Sequence, residues 1–257
     1  MKKKLRRLLT VLIEKPTLIG AIVRTVIKTY DPFLISEILG ERFVFIRLKQ
    51  LGLLENCQNK RILEIGPKHG KDSLLLAGLD PMELVLLDLP EKDAMIQKWL
   101  PTVSSKVKTT YLQGNLLYLK PETYRQLGKF DLIWCTGVLY HNAEQLRLIK
   151  RLFDLCNLDG SVVLESEITN RKKLQKLNAV EIHWPDPFKD VPTITHLPSP
   201  IAMKSWMEMA GFQNVDIRKV LSRYLGRTRA VLTGMRTARS KTYLSYNNPA
   251  FIVGDST

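Results

Sequence analysis

Between residues 57 and 236 short apolar runs alternate with stretches of helical periodicity. The first run, Arg61 to Ile65, ends at Gly66. Ser73-Leu-Leu-Leu-Ala-Gly after it has the leucine content of a helix, so the stretch predicts strand, tight turn and helix. Leu84 to Leu87 predicts the next parallel strand. Glu91 to Leu100 reads as a helix ended by Pro101, and Lys106 to Leu112 as a third strand leading into Gly114-Asn115. Phe130 begins an apolar fourth strand that runs into a polar turn ending at His141. A helix over Ala143 to Cys156, a turn at Asp159-Gly160 and a fifth strand over Ser161 to Ser166 follow. Ser199 is suited to cap a helix running to Gly211, and Val215 to Leu221 with Arg229 to Met235 make a closing pair of strands. Strands alternating with helices in this way predict an α/β fold with a doubly wound parallel sheet.

The flanks and one internal segment depart from this rhythm. Residues 1–56 predict a basic, amphipathic helical extension: helices on either side of Pro16, a break at Tyr30-Asp-Pro-Phe, and a third helical pattern from Ile35 to Leu54. The apolar run from Leu8 to Ile13 is too short for a signal peptide. Thr17 to Lys28 is interrupted by Arg24 and falls short of the roughly 20 residues needed to span a bilayer. Residues 1–28 suit three roles alike: lying on a membrane surface, capping the domain, or forming an RNA-facing arm. The expected location is cytoplasmic, with peripheral membrane contact through residues 1–28 as the variant. Residues 167–200, rich in proline, aromatics and histidine, predict a lid inserted into a domain spanning 57–236. Residues 237–257 form a tail.

Charge changes the picture more than composition does. The chain of 257 residues carries a net charge of +14, of which residues 1–60 hold +7, residues 216–257 hold +6 and the middle only +1. Basic ends around a near-neutral domain attract polyanions, either RNA or an anionic membrane face, although a solubilising surface has the same signature. Cys57, Cys135 and Cys156 lack metal-ligand spacing, so reduced core thiols and no metal are expected.

The candidate chemistry lies at the first turn. Glu64-x-Gly66-x-x-x-Gly70 followed about twenty residues later by Asp88 makes a βαβ unit suited to a nucleoside, with the glycines leaving room at the backbone and the acid accepting ribose hydroxyls. An ordinary βα turn has glycines for backbone geometry alone. The spacing lacks the G-x-G of a dinucleotide site and resembles motif I of the class I S-adenosylmethionine-dependent methyltransferases. That likeness implies a Rossmann-like seven-stranded sheet, with Glu64, Gly66 and Gly70 at the methionine end of the cofactor and Asp88 and Leu89 at its ribose. It also puts Asn115, where the class often has an acid, at the adenine.

Gly137-Val-Leu-Tyr-His141, Leu164-Glu-Ser-Glu, His196-Leu-Pro-Ser-Pro, Trp206, Ala210-Gly-Phe and Arg229-Ala-Val-Leu together resemble the methyltransferases that complete 5-oxyacetic acid or 5-methoxy uridine at the tRNA wobble position. The resemblance covers roughly residues 60–236. It implies methyl transfer from S-adenosylmethionine or its carboxylated form, with Gly137 beside the cofactor and Tyr140 and Arg229 as partners of a donor carboxylate. The family's lysine just before Pro-Phe is missing, since Tyr30-Asp31 precede Pro32-Phe33 and Lys28 stands two positions too far back. Motif I also differs, Gly66-Pro-Lys-His-Gly70 standing for the family's Gly-Cys-Gly-Ser-Gly. Tyr140, His141 and His183 are the candidate catalytic residues, a histidine taking the proton of an oxygen acceptor. Three functions remain open: methylation of tRNA, methylation of a small metabolite, glycan or lipid-linked sugar, and non-catalytic cofactor binding. For Tyr140 and His141 an aromatic packing corner, for Arg229 a solvated charge and for His183 loop packing are the alternatives.

Overall fold

The computed structural model describes residues 48–49, 52–55, 57–222 and 228–243. The expected helices of residues 1–28, the break after them and most of the 35–54 helix lie outside the described residues, as does the tail beyond 243. Residues 1–55 and 56–257 are two compact units. In the first, the amides of Gly52 and Leu53 donate to the carbonyls of Lys49 and Leu48, closing a helical turn.

The second unit is a seven-stranded sheet. Its strands are β1 (Arg61–Ile65), β2 (Glu83–Asp88), β3 (Thr109–Gln113), β4 (Phe130–Thr136), β5 (Cys156–Ile168), β8 (Gln213–Ser222) and β9 (Thr228–Met235). The order across the sheet is β3-β2-β1-β4-β5-β9-β8. Pairing is parallel from β3 through β5, and β9 runs antiparallel to both β5 and β8. The chain order reverses between β1 and β4, where open sheets of this kind hold their ligands at the carboxyl ends of the strands.

Burial explains the strands. Ile62, Leu63, Leu84 and Leu86 have no solvent exposure, as a parallel sheet covered on both faces requires. The helices α1 (Lys71–Ala77), α2 (Asp93–Ile96), α3 (Leu100–Ser104) and α4 (Pro121–Leu127) lie in the crossovers that join β1 to β4. α5 (Gln145–Leu155) and α6 (Pro200–Ala210) pack together beyond β4, and Phe153 meets Phe212 edge to face at 5.2 Å. α6 begins and ends as its sequence foretells. Ser199 Oγ accepts from the Ala202 amide at 2.9 Å, Pro200 occupies the first turn, and Gly211 ends the helix in the left-handed region at φ 116°.

Three expectations are corrected. Pro101 opens α3 instead of ending a helix, because proline lacks only an amide that the first turn leaves unbonded. The third strand begins at Thr109 because residues 101–107 are drawn into that extra helix and the turn after it. The turn at Asp159-Gly160 is absorbed into β5: Asp159 adopts φ 60°, the Arg236 amide donates to the Gly160 carbonyl at 2.9 Å, and β5 shifts register against β4 there. Between β5 and α6 a second, two-stranded sheet pairs β6 (Val180–Ile182) antiparallel with β7 (His196–Pro198). Cys57, Cys135 and Cys156 are buried free thiols, and burial pushes Cys135 and Cys156 up to about 12.

The amino ends of the strands are tied by one acid. Glu83 Oε2 accepts from Arg61 Nε at 2.6 Å and Oε1 lies 3.2 Å from Lys108 Nζ. Burial works to raise the Glu83 carboxyl, but bonds from Arg61, Lys108 and Thr110 hold it below its ordinary value of 4.5. A depressed folded pKa contributes stability above the unfolded value that is lost as pH falls through the folded one. Glu83→Gln is therefore expected to lose about 1 kcal/mol at neutral pH. Urea denaturation at several pH values should show the gap from wild type narrowing below pH 4.5.

Candidate active site

The loop after β1 is fastened on three sides. Gly66, at φ 74°, donates its amide to the Leu87 carbonyl at 2.9 Å. The Lys68 amide donates to Asp88 Oδ2 at 2.9 Å, and the Leu89 amide to Asp88 Oδ1 at 2.8 Å. Trp99 Nε1 donates to the Lys68 carbonyl at 3.0 Å. Asp88, at the carboxyl end of β2 and 8% exposed, thus holds the loop, and each of its oxygens has further lone-pair capacity. Leu89 beside it is exposed. The two loop glycines make room for protein side chains: a Cβ on Gly66 would fall 2.6 Å from Val138 Cγ2, and one on Gly70 2.3 Å from the Trp99 ring.

Glu64 is buried and accepts from Ser73 Oγ at 2.6 Å, which ties α1 to β1. Asp72 in the same helix accepts from Trp134 Nε1 at 2.9 Å and Thr136 Oγ1 at 3.1 Å, tying it to β4 as well. Asn115 sits at the end of β3, where Gly114 donates to the Asp88 carbonyl at 2.8 Å. Its Oδ1 caps the turn at Leu116–Tyr118 through the Leu117 amide at 3.0 Å.

The fourth strand ends at Gly137, in the left-handed region at φ 75°. The nearest atoms to a Cβ there would be Arg229 Nη1 and Tyr140 Oη, both at 4.0 Å, so the glycine lies in ordinary contact distance of these two groups. Arg229 Nη1 donates to both oxygens of Glu165, at 2.7 and 3.0 Å, and Nη2 donates to Tyr140 Oη at 3.0 Å. Glu165 is fully buried, and Arg229 and Tyr140 are each 6% exposed. Burial opposes the guanidinium's charge, and Glu165, Tyr140 and Glu167 more than offset it, holding Arg229 above its ordinary pKa.

Residues 188–197, part of the segment expected to act as a lid, pack over this corner. Ile194 and Leu197 are buried against Tyr140, with Phe188 and Val191 around them. His141 is exposed, lies 4.3 Å ring to ring from Tyr140, and meets Thr193 Oγ1 of the lid through Nδ1 at 2.8 Å. His183 stands apart, its Nε2 3.6 Å from Glu181 Oε1 and its ring 5.0 Å from Phe188. The structure thus brings Gly137, Tyr140, His141 and Arg229 together and leaves His183 in the lid. Glu165 and Glu167, which the sequence reading left out of the site, belong to this corner. Their signal was two acids at alternate positions of an otherwise apolar strand, which burial permits only with a partner. Among the described residues no group of three or more His, Cys, Asp or Glu could hold a metal ion, and no helix is long and apolar enough to cross a membrane.

Residues 40–217 match the family described as "Methyltransferase domain". Among curated proteins the chain is 28% identical over 182 residues to the tRNA U34 carboxymethyltransferase of Psychromonas ingrahamii, covering 71% of this chain and 50% of that one. With the Campylobacter fetus protein of the same name it shares 25% over 176 residues, covering 68% of this chain and 59% of the relative. The chain therefore spans about half the length of the curated relatives it matches. Among solved structures, the N-terminal domain of EvdMO1, determined in the presence of SAH and D-fucose, superposes with a TM-score of 0.58 at 18% identity, over 75% of this chain and 82% of that one. An O-methyltransferase family protein from Burkholderia thailandensis gives 0.52 at 15% identity, over 81% of this chain and 61% of that one.

Removing one partner of a buried ion pair strands the other, which typically costs about 3–5 kcal/mol. Arg229→Ala is expected to lose stability of that order in chemical denaturation. Tyr140→Phe, which takes away only one hydroxyl, should lose no more than about 1.5 kcal/mol.

Proposed function

Because the chain belongs to the methyltransferase-domain family, we propose that it transfers a methyl group from S-adenosylmethionine, or a carboxymethyl group from the carboxylated form, to an oxygen acceptor carried by a nucleic acid, with the tRNA wobble uridine as the leading acceptor. The observation that carries this reading is the convergence of Asp88, Gly137, Tyr140 and Arg229 on the carboxyl edge of the sheet around its topological switch point. The names of the curated relatives supply the acceptor.

The residues present fit the cofactor. Asp88 has lone pairs for ribose hydroxyls, Leu89 is exposed beside it, and a Cβ at Gly137 would meet nothing closer than 4.0 Å. Glu64, Gly66 and Gly70 shape the loop for the methionine end, and Asn115 stands where an adenine edge would lie. Bound there, the cofactor supplies an electrophilic carbon on a sulfonium. Displacement at that carbon is in line, so the protein's task is alignment and proton removal. Tyr140 and the lid wall the acceptor side and exclude water. His141, at the mouth of that wall, accepts the acceptor's proton on its ring, and His183 is the second candidate from within the lid.

A second reading has its own observation. The lid packs tightly on Tyr140 through Ile194 and Leu197, and such a covered corner suits a small metabolite or sugar hydroxyl. The basic ends, net +7 and +6, favour the nucleic acid.

Titration calorimetry should find Asp88→Ala binding S-adenosylmethionine roughly 10- to 100-fold more weakly than wild type, the loss of bonds to a charged acceptor. His141→Ala should keep cofactor affinity and lose turnover by about 100-fold or more; an unchanged rate removes it as the base. Affinity for tRNA that falls steeply with added salt supports the nucleic-acid acceptor, and a flat dependence moves the acceptor to the small-molecule class.

A further inference from the structure

Four charged side chains meet at the carboxyl end of β5. Glu165 and Glu167 point to the same face, being two apart on one strand. Arg229 stands opposite Glu167 in register and holds Glu165 with its Nη1. Lys189 reaches in from the lid, its Nζ 3.6 Å from Glu167 Oε1. Lys189 takes left-handed backbone angles, φ 55° and ψ 36°, uncommon for a residue with a side chain. Glu167 is 1% exposed, and its Oε1 receives no hydrogen bond.

These four groups carry two charges of each sign. Arg229 is already matched by a fully buried carboxylate, with a second carboxylate opposite it on the neighbouring strand. A further anion brought against Arg229 and Tyr140 would meet two negative charges where water screens poorly, and like charges set together there are strongly disfavoured. Glu167 Oε1, ion-paired with Lys189 at 3.6 Å but accepting no hydrogen bond, gains by contrast from a ligand that offers an O–H or an N–H. Resting on the S-adenosylmethionine reading above, we infer that Glu167 determines donor specificity: with Glu165 it balances Arg229 and Lys189, so the site takes plain S-adenosylmethionine and rejects the carboxylated form. The transferred group is then a methyl, and the product carries no new charge.

The test is calorimetric binding of S-adenosylmethionine and of its carboxylated analogue to the full chain, which needs no acceptor. Wild type is expected to favour the plain donor by at least about tenfold. Glu167→Gln, which keeps the shape and removes the charge, should shift the ratio toward the carboxylated donor by about tenfold or more. Lys189→Met, a lid substitution, should shift it the opposite way, and it decides the matter if Glu167→Gln does not fold. A wild-type preference for the carboxylated donor, or a ratio that neither variant moves, overturns the inference while leaving methyl transfer in place. Binding of neither donor overturns the cofactor reading itself, and this inference with it.

Discussion

The buried pair between Glu165 and Arg229 is the contact on which the corner around Gly137 depends. Neither charge could enter the sheet alone, since desolvating one ion costs several kcal/mol, and the two are worth their burial only when hydrogen-bonded to each other. β9 makes the pairing available. Because it is inserted antiparallel beside β5, its first residues lie at the carboxyl ends of the parallel strands, and Arg229 is delivered to the edge where ligands bind. The same guanidinium then fixes Tyr140 Oη and, through it, the turn after β4.

A second constraint governs the other half of the cleft. Asp88 accepts two backbone amides, one from the loop after β1 and one from its own strand end. This holds a carboxylate at the switch point by backbone amides and preserves the loop's shape through Gly66 and Lys68. Trp99 closes the outer side, packed over Gly70 and bonded to the Lys68 carbonyl. The loop Gly66-Pro-Lys-His-Gly70 is thus held by an indole from the next crossover.

The lid joins the two chemistries of the site. Its apolar side, Ile194 and Leu197, packs on Tyr140, while polar contacts gather just after β5, where Thr169 bonds Glu181 and Arg171 Nε approaches Glu181 Oε1 at 2.8 Å. Thr193 holds His141, and Lys189 reaches Glu167.

The sequence by itself determined the order of strands and helices, the turn at Gly66, the cap at Ser199 and Gly211, and the candidates Asp88, Gly137, Tyr140 and Arg229. The elements, the turn and the cap follow from local rules: apolar runs, the positive φ that favours glycine, a hydroxyl that bonds its own helix; Gly137, Tyr140 and Arg229 came from the resemblance of their motifs to a known family. It misjudged Pro101 and the Asp159-Gly160 turn, because a proline suits either flank of a helix and a bulge looks like a turn until its partner strand is known. Only the tertiary structure decided that Glu165 and Glu167 belong with Arg229, whose bond to Glu165 spans 64 positions in the chain. Which acid meets which base is set by strand order and register, and those depend on how the whole sheet buries its faces, a property that no local stretch carries.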